Sequence, residues 1–326
     1  MLQINWGIIG CGNVTEKKSG PAFSKIENSS LVAVMRRNGE KAKDYARRHN
    51  IPRWYDHAKK LIHDPEVNAI YIATPPDSHL YYAKMAAKAG KPVYIEKPMA
   101  LNYGECKEMV EVFERYRVPL FVAYYRRYLN KFIKIKNLIA SGEVGDIRTV
   151  HIKLHKLLYD KDYTADWRVQ PDISGGGYFF DLASHQLDLI DFLLGPINAA
   201  SGFTANQAGR YVPEDIVTGI FKTQNGVLGT GSWCFTVAKE QETDHTEIIG
   251  SKGQITFSIF DDSPINLKNE NGMQEFTHFY PEHVQQPLIA AIVADLQGKD
   301  KCNSTGRSGA RASLVMDMMT KDLHPD

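Results

Sequence analysis

The stretch Ala89-Gly90-Lys91-Pro92-Val93-Tyr94-Ile95-Glu96-Lys97-Pro98 is a short apolar strand that leaves a turn and ends in a carboxylate, an amine and a proline. From Pro92 to Ile95 it carries no charge, the pattern of a strand buried on both faces at the centre of a parallel sheet. Ligands of open α/β sheets bind beyond the carboxyl ends of the strands, so Lys97 is expected to project its ammonium into a ligand crevice. A lysine there can donate a proton or hold a developing alkoxide. The alternative is a surface lysine before a turn, and the rest of the chain bears on which holds.

Upstream, Gln3 to Ile9 reads as a strand running directly into Gly10-Cys11-Gly12-Asn13-Val14-Thr15. A strand followed at once by G-x-G opens a dinucleotide-binding βαβ unit: the first glycine makes the tight turn and the second admits a pyrophosphate to the backbone. Thr15 stands where a third glycine is usual, a position that governs the packing of helix on strand rather than phosphate contact. A second apolar strand, Leu31 to Met35, ends about 20 residues past the glycines, where a carboxylate would grip the ribose of NAD. Arg36 and Arg37 stand there instead. Two guanidinium groups suit a 2′-phosphate, so NADP is expected, with NAD as the alternative. The competing reading is that both arginines simply begin the solvated helix Glu40 to Arg48.

Strand and helix continue in turn: a helix near His57 to His63, the strand Ala69 to Ala73, the helix Ser78 to Ala89, the strand before Lys97, the helix Tyr103 to Tyr116 and the strand Pro119 to Ala123. Strict alternation predicts a doubly wound parallel sheet, a Rossmann domain over residues 1–124. Thr74-Pro75-Pro76-Asp77-Ser78-His79 is a loop stiffened by two prolines at a strand's carboxyl end, hence beside the cofactor.

The chain has 326 residues, more than one ordinary core accommodates, so two domains are expected. Lys and Arg number 39 against 38 acidic residues, which leaves no global field to recruit nucleic acid or an anionic membrane. Cys11, Cys106, Cys234 and Cys302 form no C-x-x-C pair or His/Cys cluster, so neither a disulfide framework nor a structural metal is expected. Met1 to Gly10 lacks the pattern of a signal peptide and no apolar run approaches ~18 residues, which leads to the expectation of a cytoplasmic protein.

Gly10-x-Gly12-Asn13, Ala73-Thr74-Pro75-Pro76-x-x-His79 and Glu96-Lys97-Pro98, in this order and spacing, resemble the Gfo/Idh/MocA family of NAD(P)-dependent oxidoreductases. The resemblance implies cofactor contacts from Gly10, Gly12, Asn13, Val14, Thr74, Pro75, His79, Glu96 and Lys97, besides Arg36 and Arg37.

After Tyr124 the pattern changes. Tyr125 opens a Tyr- and Arg-rich link and is expected on the substrate side, and Phe132 to Ile139 is an amphipathic bridging helix. Ile147 to Leu154, Ile197 to Ala205, Ile216 to Thr223, Val227 to Phe235, Thr246 to Ile249 and Gly253 to Ile259 read as strands, with helices near Gln286 to Leu296 and Arg307 to Met319. Residues 125–326 are therefore expected to form an α+β domain on a mostly antiparallel sheet. Such a sheet often leaves one face free, and in the resembled family that face commonly builds the subunit contact, which implies a homo-oligomer.

Between Gly175-Gly176-Gly177 and Gly195-Pro196 lies a largely apolar helix, in which Asp181, Ser184, His185, Asp188 and Asp191 fall on one stripe. Asp181 and His185 are one turn apart. An Asp beside a His fixes the imidazole tautomer and raises its basicity, as a general base near neutral pH requires. The competing reading is a solvated stripe or an internally satisfied His–Asp pair holding the core. The resemblance implies that Asp181 and His185 stand opposite Lys97 as catalytic and substrate-binding groups. It also implies that Trp167-Arg168 lies along cofactor and substrate. The expected reaction moves a hydride between nicotinamide and a hydroxyl or carbonyl carbon of a small sugar, polyol or sugar derivative. Reduction of a diketone, dihydrodiol or imine on the same scaffold is one alternative, and a non-catalytic NADP-binding sensor is the other. Retention of Lys97, Asp181 and His185 together argues against the sensor, since binding alone needs no proton relay.

Overall fold

β1 (Ile4–Ile9) is buried at every position except Asn5, as a strand with neighbours on both edges and helices on both faces must be. The structure, a computed structural model, describes residues 2–158 and 166–321. Around β1 are assembled α1 (Asn13–Lys17), β2 (Ser29–Met35), α2 (Gly39–Arg48), β3 (Arg53–Tyr55), α3 (Ala58–Ile62), β4 (Ala69–Ile72), α4 (His79–Lys88), β5 (Val93–Ile95), α5 (Tyr103–Tyr116) and β6 (Leu120–Val122). The six strands pair in the order β3-β2-β1-β4-β5-β6, all parallel. Strand order reverses between β1 and β4, the topological switch point of such sheets. Register aligns the exits of the central strands: Ile9 pairs with Ile72 and Ile72 with Ile95, so Gly10, Ala73 and Glu96 leave the sheet side by side.

The second unit begins at Arg126. It holds α6 (Asn130–Ala140), β7 (Ile147–His155), the short α7 (Pro171–Ser174), α8 (Tyr178–Leu194), β8 (Ile197–Ala205), β9 (Ile216–Thr223), β10 (Leu228–Cys234), β11 (Thr243–Gly250), β12 (Gly253–Phe257), β13 (Ile265–Asn269) and β14 (Gly272–Phe276). These strands form an eight-stranded sheet in the order β14-β13-β12-β11-β7-β10-β9-β8, antiparallel except for β10 beside β7. Val150, Ile152, Leu154, Val217, Phe221, Trp233 and Ile248 are buried on the face that α8 covers, where Phe179 meets Trp233 edge to face at 5.1 Å. The opposite face carries Phe203, Ile220 and Leu228, all more than half exposed.

After β14 come α9 (Gln286–Leu296) and α10 (Gly306–Thr320). The chain up to Tyr125 and the segment Pro281–Ala310 make one unit; Arg126–Tyr280 and the chain from Arg311 on make the other. The expected division at residues 124 and 125 treats everything downstream as one domain, whereas Pro281–Ala310 returns to the first. Hydrogen bonding accounts for the return: Ser304 accepts from the Val122 N–H at 3.0 Å and donates its hydroxyl back to the Val122 carbonyl at 2.8 Å, while Thr305 bridges to Phe121. The edge of β6 is thereby satisfied. Leu288, Ile289, Ile292 and Val293 of α9 are buried.

Three strands lie outside the sequence expectation. β3 is three residues long, and β14, the outer strand of the β13–β14 hairpin, is exposed along nearly its whole length, so neither gives the alternation from which strands are read; β13 alternates only through Ile265 and Leu267, too short a run to stand out. No helix among the described residues is long and apolar enough to cross a membrane.

Candidate active site

Gly10 has φ +93°, and a Cβ there would stand 2.8 Å from the Thr74 amide nitrogen, so only glycine lets the β1 exit lie against the β4 exit. At Gly12 a Cβ would meet nothing nearer than the Gly10 carbonyl at 3.9 Å, which leaves the backbone ahead of Asn13 and Val14 open to a ligand. Thr15 is fully buried. Its hydroxyl donates to the Gly12 carbonyl at 2.8 Å, and its own carbonyl accepts from Tyr45 of α2 at 2.7 Å. The residue in the third-glycine position thus anchors the short helix to its neighbour. Glu16 of α1 adds an ion pair to Arg48, whose guanidinium hydrogen bond holds that carboxyl down at about 2.

Arg36 and Arg37 lie at the end of β2 and outside α2, which begins at Gly39 with the Asn38 side chain as its cap. Arg36 is half-buried, its Nη1 3.4 Å from the Cys11 carbonyl of the glycine loop, and Arg37 is exposed. Thr74 and Pro75 are partly exposed at the end of β4, and Ser78 donates to the Thr74 hydroxyl at 2.8 Å. His79 differs from its expected part as a cofactor contact: it is fully buried, with Nε2 2.7 Å from the Thr74 carbonyl and Nδ1 3.2 Å from the Met99 carbonyl. Burial lowers its pKa, favouring the neutral ring. A neutral ring has one N–H to give, and the shorter contact assigns it to the Thr74 carbonyl; packed between that loop and the loop after Lys97, the ring offers no surface of its own to a ligand.

β5 presents Glu96 and Lys97. Glu96 is buried, and its Oε1 accepts from Tyr71 Oη at 2.6 Å and Gln285 Nε2 at 2.7 Å, while Oε2 accepts from the Lys97 amide at 3.1 Å. Tyr94, which the sequence pattern counts among apolar residues, donates its hydroxyl to Gln285 Oε1 at 2.7 Å and stacks on Tyr71 at 4.8 Å. Burial first, and then the Glu96 charge, push both phenols well above their usual range. Lys97 is partly exposed beside this buried network, and Tyr125 is partly exposed at the start of a 3-10 turn, Tyr125–Tyr128.

In the second unit the acidic stripe of α8 divides in two. Asp188 accepts from Arg127 through both oxygens, at 2.8 and 2.5 Å, and Asp191 likewise from Arg311, at 2.7 and 2.6 Å. All four groups are in ion pairs, and both aspartates and Arg127 are buried. Removing one partner of such a buried pair typically costs ~3–5 kcal/mol. These arginine pairs are neither the solvated stripe nor the His–Asp pair of the competing reading.

The amino-terminal half of α8 is different. Asp181 is partly exposed and accepts from Arg168 Nε at 3.2 Å. Asp166 caps the 3-10 turn Trp167–Val169: its Oδ1 accepts from the Arg168 amide at 3.1 Å and Nη1 at 3.3 Å, and its Oδ2 from Tyr178 Oη at 2.9 Å. The Arg168 guanidinium lies over the Trp167 ring at 4.6 Å. One turn beyond Asp181, His185 is 5% exposed and meets Phe260 edge to face at 6.1 Å. The Phe260 loop is fixed from three sides: Asp244 accepts from its amide, Arg126 donates to the Ile259 carbonyl at 3.1 Å, and the buried Lys131 ammonium donates to the Ser263 carbonyl at 2.7 Å.

Sequence reasoning passed over Gln285, Tyr71, Phe260, Arg127 and Arg311. Nothing local marks them, because each partner lies far along the chain; the charge of Asp188 and Asp191 inside an apolar helix is the one signal that arginines had to be found. Among the described residues no cluster of three or more His, Cys, Asp or Glu has the arrangement of a metal site, and the four cysteines are buried and not in disulfides.

Residues 4–124 match the model of an oxidoreductase family with an NAD-binding Rossmann fold, and residues 132–256 match the GFO/IDH/MocA C-terminal domain. Oxidoreductase P35 of Formosa agariphila is 42% identical over 321 residues, 97% of this chain and 98% of its own length. The 1,5-anhydro-D-fructose reductase of Ensifer adhaerens is 26% identical over 93% of this chain and 91% of its own. The solved complex of levoglucosan dehydrogenase with NADH and levoglucosan superposes with a TM-score of 0.87 at 21% identity, covering 98% of this chain and 96% of that one, a likeness of fold.

Proposed function

The chain belongs to the Gfo/Idh/MocA family of oxidoreductases, and from that premise we propose that it is an NADP(H)-dependent dehydrogenase of a small sugar, polyol or sugar derivative. The observation that carries the reading is the alignment of strand exits in the first unit: the open glycine turn after β1, Thr74 after β4 and Lys97 after β5 leave adjacent strands in register. A pyrophosphate fits the backbone at Gly10 and Gly12 with Asn13 and Val14 behind it. Thr74, Pro75, Trp167 and Arg168 would line the bound dinucleotide, and Glu96 would support it from beneath. When bound, the nicotinamide supplies or accepts the hydride at a carbon bearing a hydroxyl or carbonyl.

The chain's own side chains then have to manage one proton and one oxygen. In oxidation, the His185 imidazole takes the hydroxyl proton, and Asp181, one helical turn earlier, favours the imidazolium that results. The Lys97 ammonium donates to the same oxygen and offsets its charge as it develops. Arg168, steadied by Asp166 and Trp167, holds the Asp181 carboxylate, and Tyr125 contributes to the substrate side. The sugar-like class is supported by the relatives, one named for 1,5-anhydro-D-fructose and one solved with levoglucosan. Nicotinamide absorbance over a panel of sugars and polyols tests the proposal: turnover with some members is expected. NADPH binding without turnover on any of them would leave the sensor as the better reading.

The NADP preference rests on Arg36 and Arg37. Hydrogen bonds to a charged partner contribute ~1.5–3 kcal/mol each, so R36A/R37A is expected to weaken NADPH at least tenfold and leave NADH nearly unchanged. Fluorescence titration of both cofactors measures it, and equal losses, or a wild type that prefers NADH, would reject the preference.

We also read the uncovered face of the eight-stranded sheet as the place where copies of the chain meet. Phe203 is 75% exposed and Ile220 62%, on neighbouring antiparallel strands, and an apolar surface of this kind tends to be covered. F203D/I220D is expected to give monomers by light scattering from a wild type that is oligomeric. A monomeric wild type would refute the assignment.

A further inference from the structure

We propose that Gln285 is a positioning residue for Lys97: its amide clamps the Glu96 carboxylate, which holds the Lys97 backbone N–H and so sets the point from which the Lys97 ammonium extends. The inference rests on the dehydrogenase reading of Lys97 and gives a part in it to a residue 189 positions away in the chain from Glu96.

The hydrogen bonds fix the orientation of the amide. Tyr71 has one proton and gives it to Glu96 at 2.6 Å, so its longer approach to Gln285, 3.5 Å, is not a second donation. Tyr94 gives its proton to Gln285 Oε1 at 2.7 Å. The carbonyl end of Gln285 is thus taken, and its NH₂ faces Glu96. A side chain that accepts on one side and donates on the other is required at this point, and an amide does both at every pH. The Gln285 main chain is itself tied down, its N–H donating to the Lys18 carbonyl at 3.2 Å. Glu96 is in this way met by three donors in a place with almost no water, where a carboxylate short of donors would swing to find another. The titratable groups that face the network are Tyr71, Tyr94 and Glu96 themselves, with His79, Cys302 and Tyr125 around them.

Gln285→Glu separates positioning from mere support. While protonated, the new carboxyl accepts from Tyr94 and donates to Glu96 as the amide does; once ionised, it sets two carboxylates within hydrogen-bonding distance of each other. The kcat profile of Q285E is therefore expected to match wild type at its acid end and to fall at least tenfold as pH rises, a limb wild type lacks, with NADPH affinity steady. A readout independent of turnover is the ¹³C signal of reductively methylated Lys97, assigned by its loss in Lys97→Met: in Q285E it should move over the same pH range, while in the control Q274E, at an exposed position, it should follow wild type. Should Q285E fail to fold, Tyr94→Phe releases the amide to rotate and is expected to lower kcat severalfold with KM little changed. A folded Q285E with the wild-type profile and Lys97 signal, or a Y94F that loses melting temperature alone, would overturn the proposal and leave Gln285 as a tie for the returning segment. If wild type turns over no substrate and the Lys97 signal still follows Q285E, the clamp stands and the dehydrogenase reading is what fails.

Discussion

Replacing His185 by alanine is expected to slow turnover by ~10²–10⁴, the usual contribution of a positioned acid or base, while NADPH still binds and the chain still melts cooperatively. The imidazole is 5% exposed and rests against the edge of Phe260, on a loop held by Asp244, Arg126 and Lys131. Such a setting restricts the ring's orientation, which is what proton transfer to one oxygen demands. Asp181→Asn should do less: the amide keeps a hydrogen-bonding oxygen at the same place but loses the charge that favours imidazolium and the ion pair with Arg168. Single-turnover cofactor absorbance, with thermal melts alongside, measures both variants. A normal rate in H185A, or a large fall in melting temperature without a kinetic defect, would assign the histidine to packing alone.

The first sheet was legible because parallel central strands are apolar on both faces and are punctuated by turn residues, so β1, β2, β4 and β5 can be read from short windows of sequence. What such windows omit is anything made by distant residues. Pro281–Ala310 carries an ordinary apolar helix, and nothing in its composition says that Ser304 and Thr305 will line the edge of β6 or that Gln285 will reach Glu96. The acidic stripe of α8 shows the same limit from another side. Periodicity gathers five polar groups on one face, but only Arg127 and Arg311 separate Asp188 and Asp191, which are buried in ion pairs, from His185 and from Asp181, which is partly exposed in its pair with Arg168. His79 belongs to the Thr74-Pro75-Pro76 motif, and its burial against the Thr74 carbonyl makes it a brace of that loop.

Lys97→Met is expected to separate an enzyme from a sensor more sharply than any other change, with kcat falling by two or more orders of magnitude, roughly 2.7 kcal/mol or more of transition-state stabilisation, and NADPH affinity moving little. Methionine keeps most of the stem and removes only the charge and its donors. An ammonium at the end of β5 matters most when the reacting oxygen carries partial negative charge, so its loss weighs on the transition state more than on the bound ground state. The substitution leaves in place the hydrogen bonds that Glu96 accepts from Tyr71, Gln285 and the backbone amide of residue 97. A kinetic loss in K97M is then attributable to the missing ammonium and not to collapse of the network. A sensor would show no turnover before or after the change and would respond, if at all, only in ligand affinity. Single-turnover absorbance beside a binding titration reports both quantities, and wild-type activity surviving in K97M would remove Lys97 from the chemistry and with it the reading of the strand that ends there.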